Sequence, residues 1–377
     1  MKKLALTACH FLYGRVAKPI FFLFDAETVH NGITSFGGIM GQAKPLSALL
    51  KVFTSVNSPA LAQTIGNINF RNPIGLAAGF DYEAKLTQIL PAVGFGFETV
   101  GTITNQPYEG NARPRLGRLK KSRSLLVNKG FKNLGVKETL KKLEGLNFEI
   151  PVGLSLGVTN TPSLSNQTEA IQDILEAFQT AENSTVPFSY YELNISCPNL
   201  RVGVDFYSAE NLEELLRTVT KNKLSKPLFI KMPIDKTNDE ILAMLAVIIK
   251  YPVQGVIFGN LQKNKLDPAL NPKEVACCSK GYFSGKPTEK RSNELIALTY
   301  KTYGKKLTII GCGGVFCPAD AYRKIKLGAS LVQLITGMIY EGPQLIAEIN
   351  LGILKLLKQD GFSNLAEAIG SDTVKTK

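Results

Sequence analysis

Tyr190-Tyr-Glu-Leu-Asn-Ile-Ser-Cys-Pro-Asn199 holds a strand and its loop in one short stretch. Tyr190–Asn194 suits a buried strand, Ser196-Cys197-Pro198-Asn199 breaks it, and a helical pattern follows over about 209–222. The unit recurs along the chain. Short apolar runs stand at Ile74–Ala78, Phe97–Gly101, Val152–Leu156, Tyr190–Asn194, Leu228–Met232, Gly255–Phe258, Leu307–Gly311 and Leu331–Leu334. Helical stretches are expected at about 84–92, 168–182, 209–222, 237–249, 288–303, 318–326 and 343–357. The segment 102–150 reads as a long irregular insertion with a helix near 136–144.

Eight buried strands alternating with helices predict an α/β fold, the (β/α)8 TIM barrel. A doubly wound sheet would want a glycine-rich nucleotide turn after its first strand. The nearest match, Gly311-Cys312-Gly313-Gly314, follows the seventh run and has Phe316 where the last glycine belongs. Gly281–Lys286 is one residue short of a P-loop.

Composition narrows the chemistry. The chain has 377 residues, and its two histidines, His10 and His30, both lie near the N-terminus. Ser-His-Asp hydrolysis and histidine-rich zinc sites therefore lack material in the body of the chain. None of the six cysteines forms a CxxC pair. The formal charge of +13 is spread over scattered lysines, without an arginine stripe or interleaved aromatics, so no nucleic-acid partner is expected. An anionic lipid surface or an anionic substrate fits that charge as well.

The N-terminal region, 1–55, is expected to be helical. Residues 4–24 mix leucines and phenylalanines with basic flanks, as a helix in a membrane interface would, or one docked on its own domain. A lipoprotein signal ending at Cys9 is disfavoured by the shortness of the apolar run before it. A second helix should run from Asp25, its N-cap, to Phe36 and stop at Gly37-Gly38; a third should cover Pro45–Phe53. The barrel takes 56–370, and the tail 371–377 is expected to be disordered.

Barrel enzymes work at the C-terminal ends of their strands. Those ends offer Ala78-Gly79, Thr102, Asn194 with Cys197 and Asn199, Lys231, Gly259-Asn260, Gly313-Gly314 and Thr336-Gly337. The last two glycine-bearing ends hold the usual phosphate position of this fold. Lys231 in a buried strand needs an anionic or electron-rich partner, or an outlet to solvent. Cys197 could act as a base or be a buried inert thiol.

Taken in order, these residues resemble the dihydroorotate dehydrogenases. The resembling motifs are Asn72-Pro-Ile-Gly-Leu-Ala-Ala-Gly-Phe-Asp81, Gly101-Thr102, Pro114–Arg118, Gly130–Gly135, Asn194–Asn199, Lys231, Ser284–Pro287, Gly311–Gly314 and Gly328–Gln333. Phe24–His30 is similar to the helical extension of the membrane-associated, quinone-reducing class.

The resemblance implies oxidation of dihydroorotate to orotate, in pyrimidine biosynthesis, with FMN as cofactor, Cys197 as base and quinone as acceptor. It implies FMN contacts at Ala78, Gly79, Thr102, Ser155, Asn194, Lys231, Gly259, Ser284, Gly285, Gly313, Gly314, Ile335, Thr336 and Gly337. Asn128, Lys129, Phe131, Asn194, Asn199 and Asn260 would bind the substrate, and Arg118 would lie on the quinone side. The enzyme would sit peripherally on the cytoplasmic face of the cell membrane.

Departures from the pattern are specific. Cys197 stands where the membrane-associated class has serine, and Tyr82 where a lysine usually follows Gly-Phe-Asp. Val127, Ser155 and Gly259 replace two asparagines and a threonine, and Leu200-Arg201-Val202-Gly203 replaces Thr-Pro-Gly. Lys129 is expected to stand in for the missing lysine. Another dihydropyrimidine, a non-quinone acceptor, or a non-redox phosphate-binding barrel are the alternative readings.

Overall fold

The computed structural model describes residues 2–200 and 204–373. Eight parallel strands close into one barrel: β1 (Ile74–Leu76), β2 (Phe97–Thr104), β3 (Val152–Gly157), β4 (Tyr190–Asn194), β5 (Leu228–Met232), β6 (Gly255–Phe258), β7 (Thr308–Cys312) and β8 (Leu331–Leu334). Each pairs with its neighbour in sequence, and β8 pairs with β1. The predicted barrel is thus the observed one, with strand ends differing by a few residues.

Alternation along each strand sorts the side chains. In β5, Leu228, Ile230 and Met232 join the apolar layer beneath the helices, while Phe229 packs inside the barrel. Lys231, two residues beyond Phe229, therefore also points inward, one layer nearer the mouth. The same rule turns Glu192 and Asn194 inward above Tyr190. The opposite end of the barrel is closed by a hairpin, Gln63–Ile65 with Ile68–Phe70, which the sequence pattern did not predict. Its Gly66 and Asn67 both take positive φ, as a two-residue hairpin turn requires. Phe70 of this hairpin packs edge-on against Phe97, 5.3 Å between centroids.

Two expectations in the body of the chain change. The helix expected over 84–92 shrinks to Leu90–Val93. Ala84 sits at φ 53° and the Asp81 carboxylate accepts the N–H groups of Lys85 and Leu86, so the segment is a capped loop. The insertion 102–150 is also more regular than expected. Leu116–Leu119 and Ser124–Val127 form an antiparallel pair, joined by Tyr282–Phe283 into a small sheet. Four-residue strands are too short to show a period.

The N-terminal region is helical, as expected: α1 (Lys2–Leu12) continues through a π turn into Lys18–Phe21, followed by α2 (Ala26–Gln42) and α3 (Lys44–Thr54). Asp25 caps α2 by accepting the N–H of Thr28. α2 does not stop at Gly37-Gly38. A Cβ at Gly37 would meet Leu86 Cδ2 at 2.5 Å, and one at Gly41 would meet Gln88 Cβ at 3.0 Å. These glycines bring α2 against the 85–89 loop; they do not end it. Of the tail expected to be disordered, Ser371–Thr373 form a turn in which Thr373 Oγ1 donates to Leu327 O; 374–377 lie outside the described residues.

Candidate functional site

A concavity opens at the C-terminal ends of the strands and reaches His30 of α2 in the N-terminal region. Its walls include Ala78, Gly79, Thr102, Asn194, Cys197, Asn199, Lys231, Gly259 and Asn260. They also include Ser284, Gly285, Gly313, Gly314, Ile335, Thr336, Gly337, Lys129 and Phe131. Eighteen of the twenty-one residues singled out from the sequence thus share one chamber. Asn128, Ser155 and Arg118 do not line it.

The floor is a single chain of hydrogen bonds. Asn260 Nδ2 donates to Ser196 Oγ at 2.6 Å, and Ser196 Oγ to Asn194 Oδ1 at 2.9 Å. Asn194 Nδ2 donates to Thr102 Oγ1 at 2.7 Å. Thr102 Oγ1 and Ser155 Oγ are 2.9 Å apart, and Ser155 gives its one proton to Glu192 Oε1 at 2.6 Å. Thr102 must therefore be the donor to Ser155, because a hydroxyl has a single proton. The chain runs one way and ends on a fully buried carboxylate, whose Oε1 lies 4.0 Å from Lys231 Nζ. Ser155 serves the site from below, through Thr102 and Glu192. Glu192, which the sequence pattern did not single out, answers the need of Lys231 for an anion. Its place two residues before Asn194 was the available signal.

Opposite this floor, the loops after β7 and β8 come close to the chain around them. A Cβ at Gly313 would meet Thr288 Oγ1 at 2.3 Å, and one at Gly337 would meet Val315 O at 1.9 Å. Ser284 Oγ and Thr336 Oγ1 hydrogen-bond at 2.8 Å. A Cβ at Gly79 would meet only Ile335 Cδ1, at 3.7 Å, because it would project into the chamber.

Cys197 lies on the β4 loop and is partly exposed to the chamber. Burial pushes its thiol up to about 11, against the pull of the Asn199 N–H and of Lys231 and Lys263. The neighbouring loop is tied by amides: Asn111 Nδ2 donates to Asn199 O and to Asn128 Oδ1, and Asn199 Nδ2 to Val127 O. Asn128 thus anchors the loop that carries Lys129 and Phe131. Gly157 leaves room for the Phe131 ring, which a Cβ there would meet at 2.7 Å.

Towards the N-terminal helices the walls become apolar: Leu116, Leu125, Val127 and Ile339, with His30 of α2. His30 stacks on Tyr82 at 5.2 Å, and the Lys129 ammonium lies 3.7 Å from the same ring's centroid. Burial, with Lys129, Lys85 and Lys132, holds the His30 imidazole well below its ordinary value. Glu27 of α2, buried, receives Arg115 Nε at 3.1 Å and Arg113 Nε at 3.6 Å and faces Lys132. Arg118 instead holds the turn before α2: Nη1 donates to Phe24 O at 2.7 Å and the guanidinium covers the Phe22 ring.

Comparison with known proteins gives the same picture. The sequence model of the family "Dihydroorotate dehydrogenase" matches residues 60–357. A dihydroorotate dehydrogenase (quinone) of Trichodesmium erythraeum is 35% identical, over 95% of this chain and 98% of its own. One from Sulfurovum sp. is 34% identical, over 96% of this chain and 99% of its own. The crystal structure of a DHODH from Eimeria tenella in complex with ferulenol superposes with a TM-score of 0.78 at 26% identity, covering 92% of this chain and 96% of that one. Fold, chamber and sequence agree: the chain belongs to the dihydroorotate dehydrogenase family.

Proposed function

We propose that the protein oxidises dihydroorotate to orotate with FMN in the barrel mouth, passes the electrons to a quinone, and rests on the membrane through its N-terminal helices. The observation that carries this reading is the continuity of the chamber, from Cys197 and Asn194 through to His30 of α2 and the apolar walls beside it.

The residues present fit FMN. Gly313, Gly314 and Gly337 line the chamber with backbone that only glycine can pack so closely against the chain around it, and Ser284 and Thr336 add hydroxyls, a donor set suited to a phosphate. The side-chain-free face of Gly79 leaves room for a flat ring beside Ala78 and Lys231. When bound, FMN supplies the two-electron chemistry that amino-acid side chains lack.

The protein's part is positioning and proton transfer. Asn194, Asn199 and Asn260 present amides to a planar, polar substrate, with Phe131 against it and Asn128 holding the loop. Asn194 and Asn260 are fixed by the one-way hydrogen-bond chain, so their free edges are preorganised. Cys197 would take the proton from C5 of dihydroorotate, and the hydride given up at C6 would be accepted by the FMN held beside it. The raised pKa of the thiol makes the thiolate fraction, and hence the rate of this step, climb with pH towards about 11. The apolar walls beside His30 suit a quinone ring, and Arg118 keeps the turn over that path in place.

Membrane contact is supported by Phe11, Leu23, Phe24, Phe36, Ile39 and Val52, all exposed on the N-terminal region. No helix among the described residues is long and apolar enough to cross a membrane, so contact would be peripheral. The positive charge suits the anionic cytoplasmic leaflet.

The test is spectroscopic. Protein purified in mild detergent should show a flavin band that dihydroorotate bleaches without oxygen and a soluble quinone restores. A band that dihydrouracil bleaches and dihydroorotate does not would move the substrate to another dihydropyrimidine. A bleached band that quinone fails to restore would replace the acceptor.

A further inference from the structure

The chamber holds two buried lysines in opposite electrostatic situations. Lys231 has the Glu192 carboxylate beneath it, 4.0 Å away. Lys129 is only 8% exposed, yet its ammonium has no hydrogen-bond partner among the described residues. The ammonium lies over the face of Tyr82, 3.7 Å from the ring centroid. A ring face attracts a cation but takes no hydrogen bond from all three N–H groups.

The surroundings do not neutralise it. Glu27 is shared among Arg113, Arg115 and Lys132, and Glu83 pairs with Lys85. Around the Tyr82 side of the chamber, five cations thus face two carboxylates. A buried, under-partnered ammonium is costly unless a ligand completes its shell. An anionic oxygen is the group that does so best.

We infer that Lys129, carried over the Tyr82 ring, is the anion-recognition group of the chamber and binds the carboxylate of the substrate. This deepens the proposed function and rests on it. Lys231, already balanced by Glu192, brings little net charge to an incoming anion. Discrimination between dihydropyrimidines with and without a carboxylate therefore falls to Lys129. Tyr82 is a positioning residue: its OH, 3.2 Å from Asn31 Oδ1, and its stack with His30 hold the ring under the ammonium.

Protonation offers a second handle. Burial pushes Lys129 down to about 7; Glu27 and Glu83 oppose that, and Lys132 and Arg115 reinforce it. The ammonium is charged below that value and neutral above it, so anion affinity should fall as pH rises through it. His30, held far lower, and the Cys197 thiol, near 11, titrate outside this window.

The experiment uses the flavin-loaded enzyme and reads orotate and uracil binding through the flavin spectrum. Lys129→Met should weaken orotate by about 10–100-fold, the worth of a hydrogen bond to a charged group, and leave uracil unchanged. Unchanged orotate affinity, in an enzyme whose wild type is bleached by dihydroorotate, would overturn the inference alone. A shifted flavin reduction potential with unchanged orotate affinity would also overturn it, assigning the ammonium to the cofactor. If the variant fails to fold or to hold flavin, wild-type orotate affinity from about pH 6 to about pH 9 decides, because binding is linked to the protonation of Lys129. A fall supports the inference and a flat profile overturns it. Wild type that binds no orotate at all would sink the proposed function itself.

Discussion

The mouth of the barrel and the N-terminal helical layer are built on opposite plans. In the mouth, Asn260, Ser196, Asn194, Thr102, Ser155 and Glu192 each hold the next, and strands fix where each begins. In the layer, the polar ties to the barrel are separate contacts and form no such chain, among them Tyr13 to Ile339 O, Lys18 to Tyr340 O, Arg118 to Phe24 O, Tyr82 to Asn31 and the Glu27 cluster. Of 17 large hydrophobic side chains exposed among the described residues, 14 lie between Leu4 and Phe53. A rigid polar site needs its groups satisfied internally, whereas an interfacial layer leaves apolar surface for lipid. One chamber is thus walled by two materials, which suits the two half-reactions proposed for it.

That division can be broken from either side. The largest effect belongs to the mouth. Cys197→Ala should slow bleaching by dihydroorotate by roughly 10²–10⁴-fold, the usual worth of a positioned base. Flavin content and vesicle binding should stay at wild-type levels. In the wild type at saturating dihydroorotate, stopped-flow bleaching rates should rise steadily from pH 7 towards about 11, following the Cys197 thiolate. A rate independent of pH over that range would remove Cys197 as the base.

A smaller effect is expected where the two regions meet. Gly41→Val places side chain where a Cβ already meets Gln88 Cβ at 3.0 Å and Ile89 N at 3.1 Å. Overpacking of this kind costs about 1–3 kcal/mol and should lift α2 from the barrel. Quinone turnover should then fall by more than the bleaching rate. Equal losses in both would mean that the helices support the whole site and not its acceptor side alone.

The smallest effect is at the outer surface. Leu23 is 81% exposed and should enter lipid without strain. Leu23→Ser should lower the partition onto anionic vesicles about tenfold, from roughly 1.5 kcal/mol of apolar burial lost. Thermal stability and bleaching should not change. Vesicle binding unaffected by this change would place the lipid contact elsewhere on the layer.

Much of the site is legible in the sequence because strand ends are local features. A buried run followed by a polar or glycine-rich break is enough to put Cys197, Lys231, Gly313 and Thr336 at the mouth. Three residues resist such reading. Asn128 and Ser155 act through neighbours, and the reach of Arg118 to Phe24 O spans 94 residues of sequence. Glu192 is hidden by its place in an otherwise apolar strand. Gly37, Gly38 and Gly41 mislead, since glycine ends a helix or brings it close, and only the partner surface says which.

By itself, the sequence determined the barrel, the order of its strands, and the thiol, amides and glycines at its mouth. Those follow from periods of two and 3.6 and from local breaks, each written within a few residues. The tertiary structure alone decided that Glu192 balances Lys231 and that Lys129 lies over Tyr82 without a hydrogen-bond partner among the described residues. It also decided that the chamber reaches His30 of α2. These depend on which surfaces meet across long stretches of chain, and no local pattern encodes the separation between two charges.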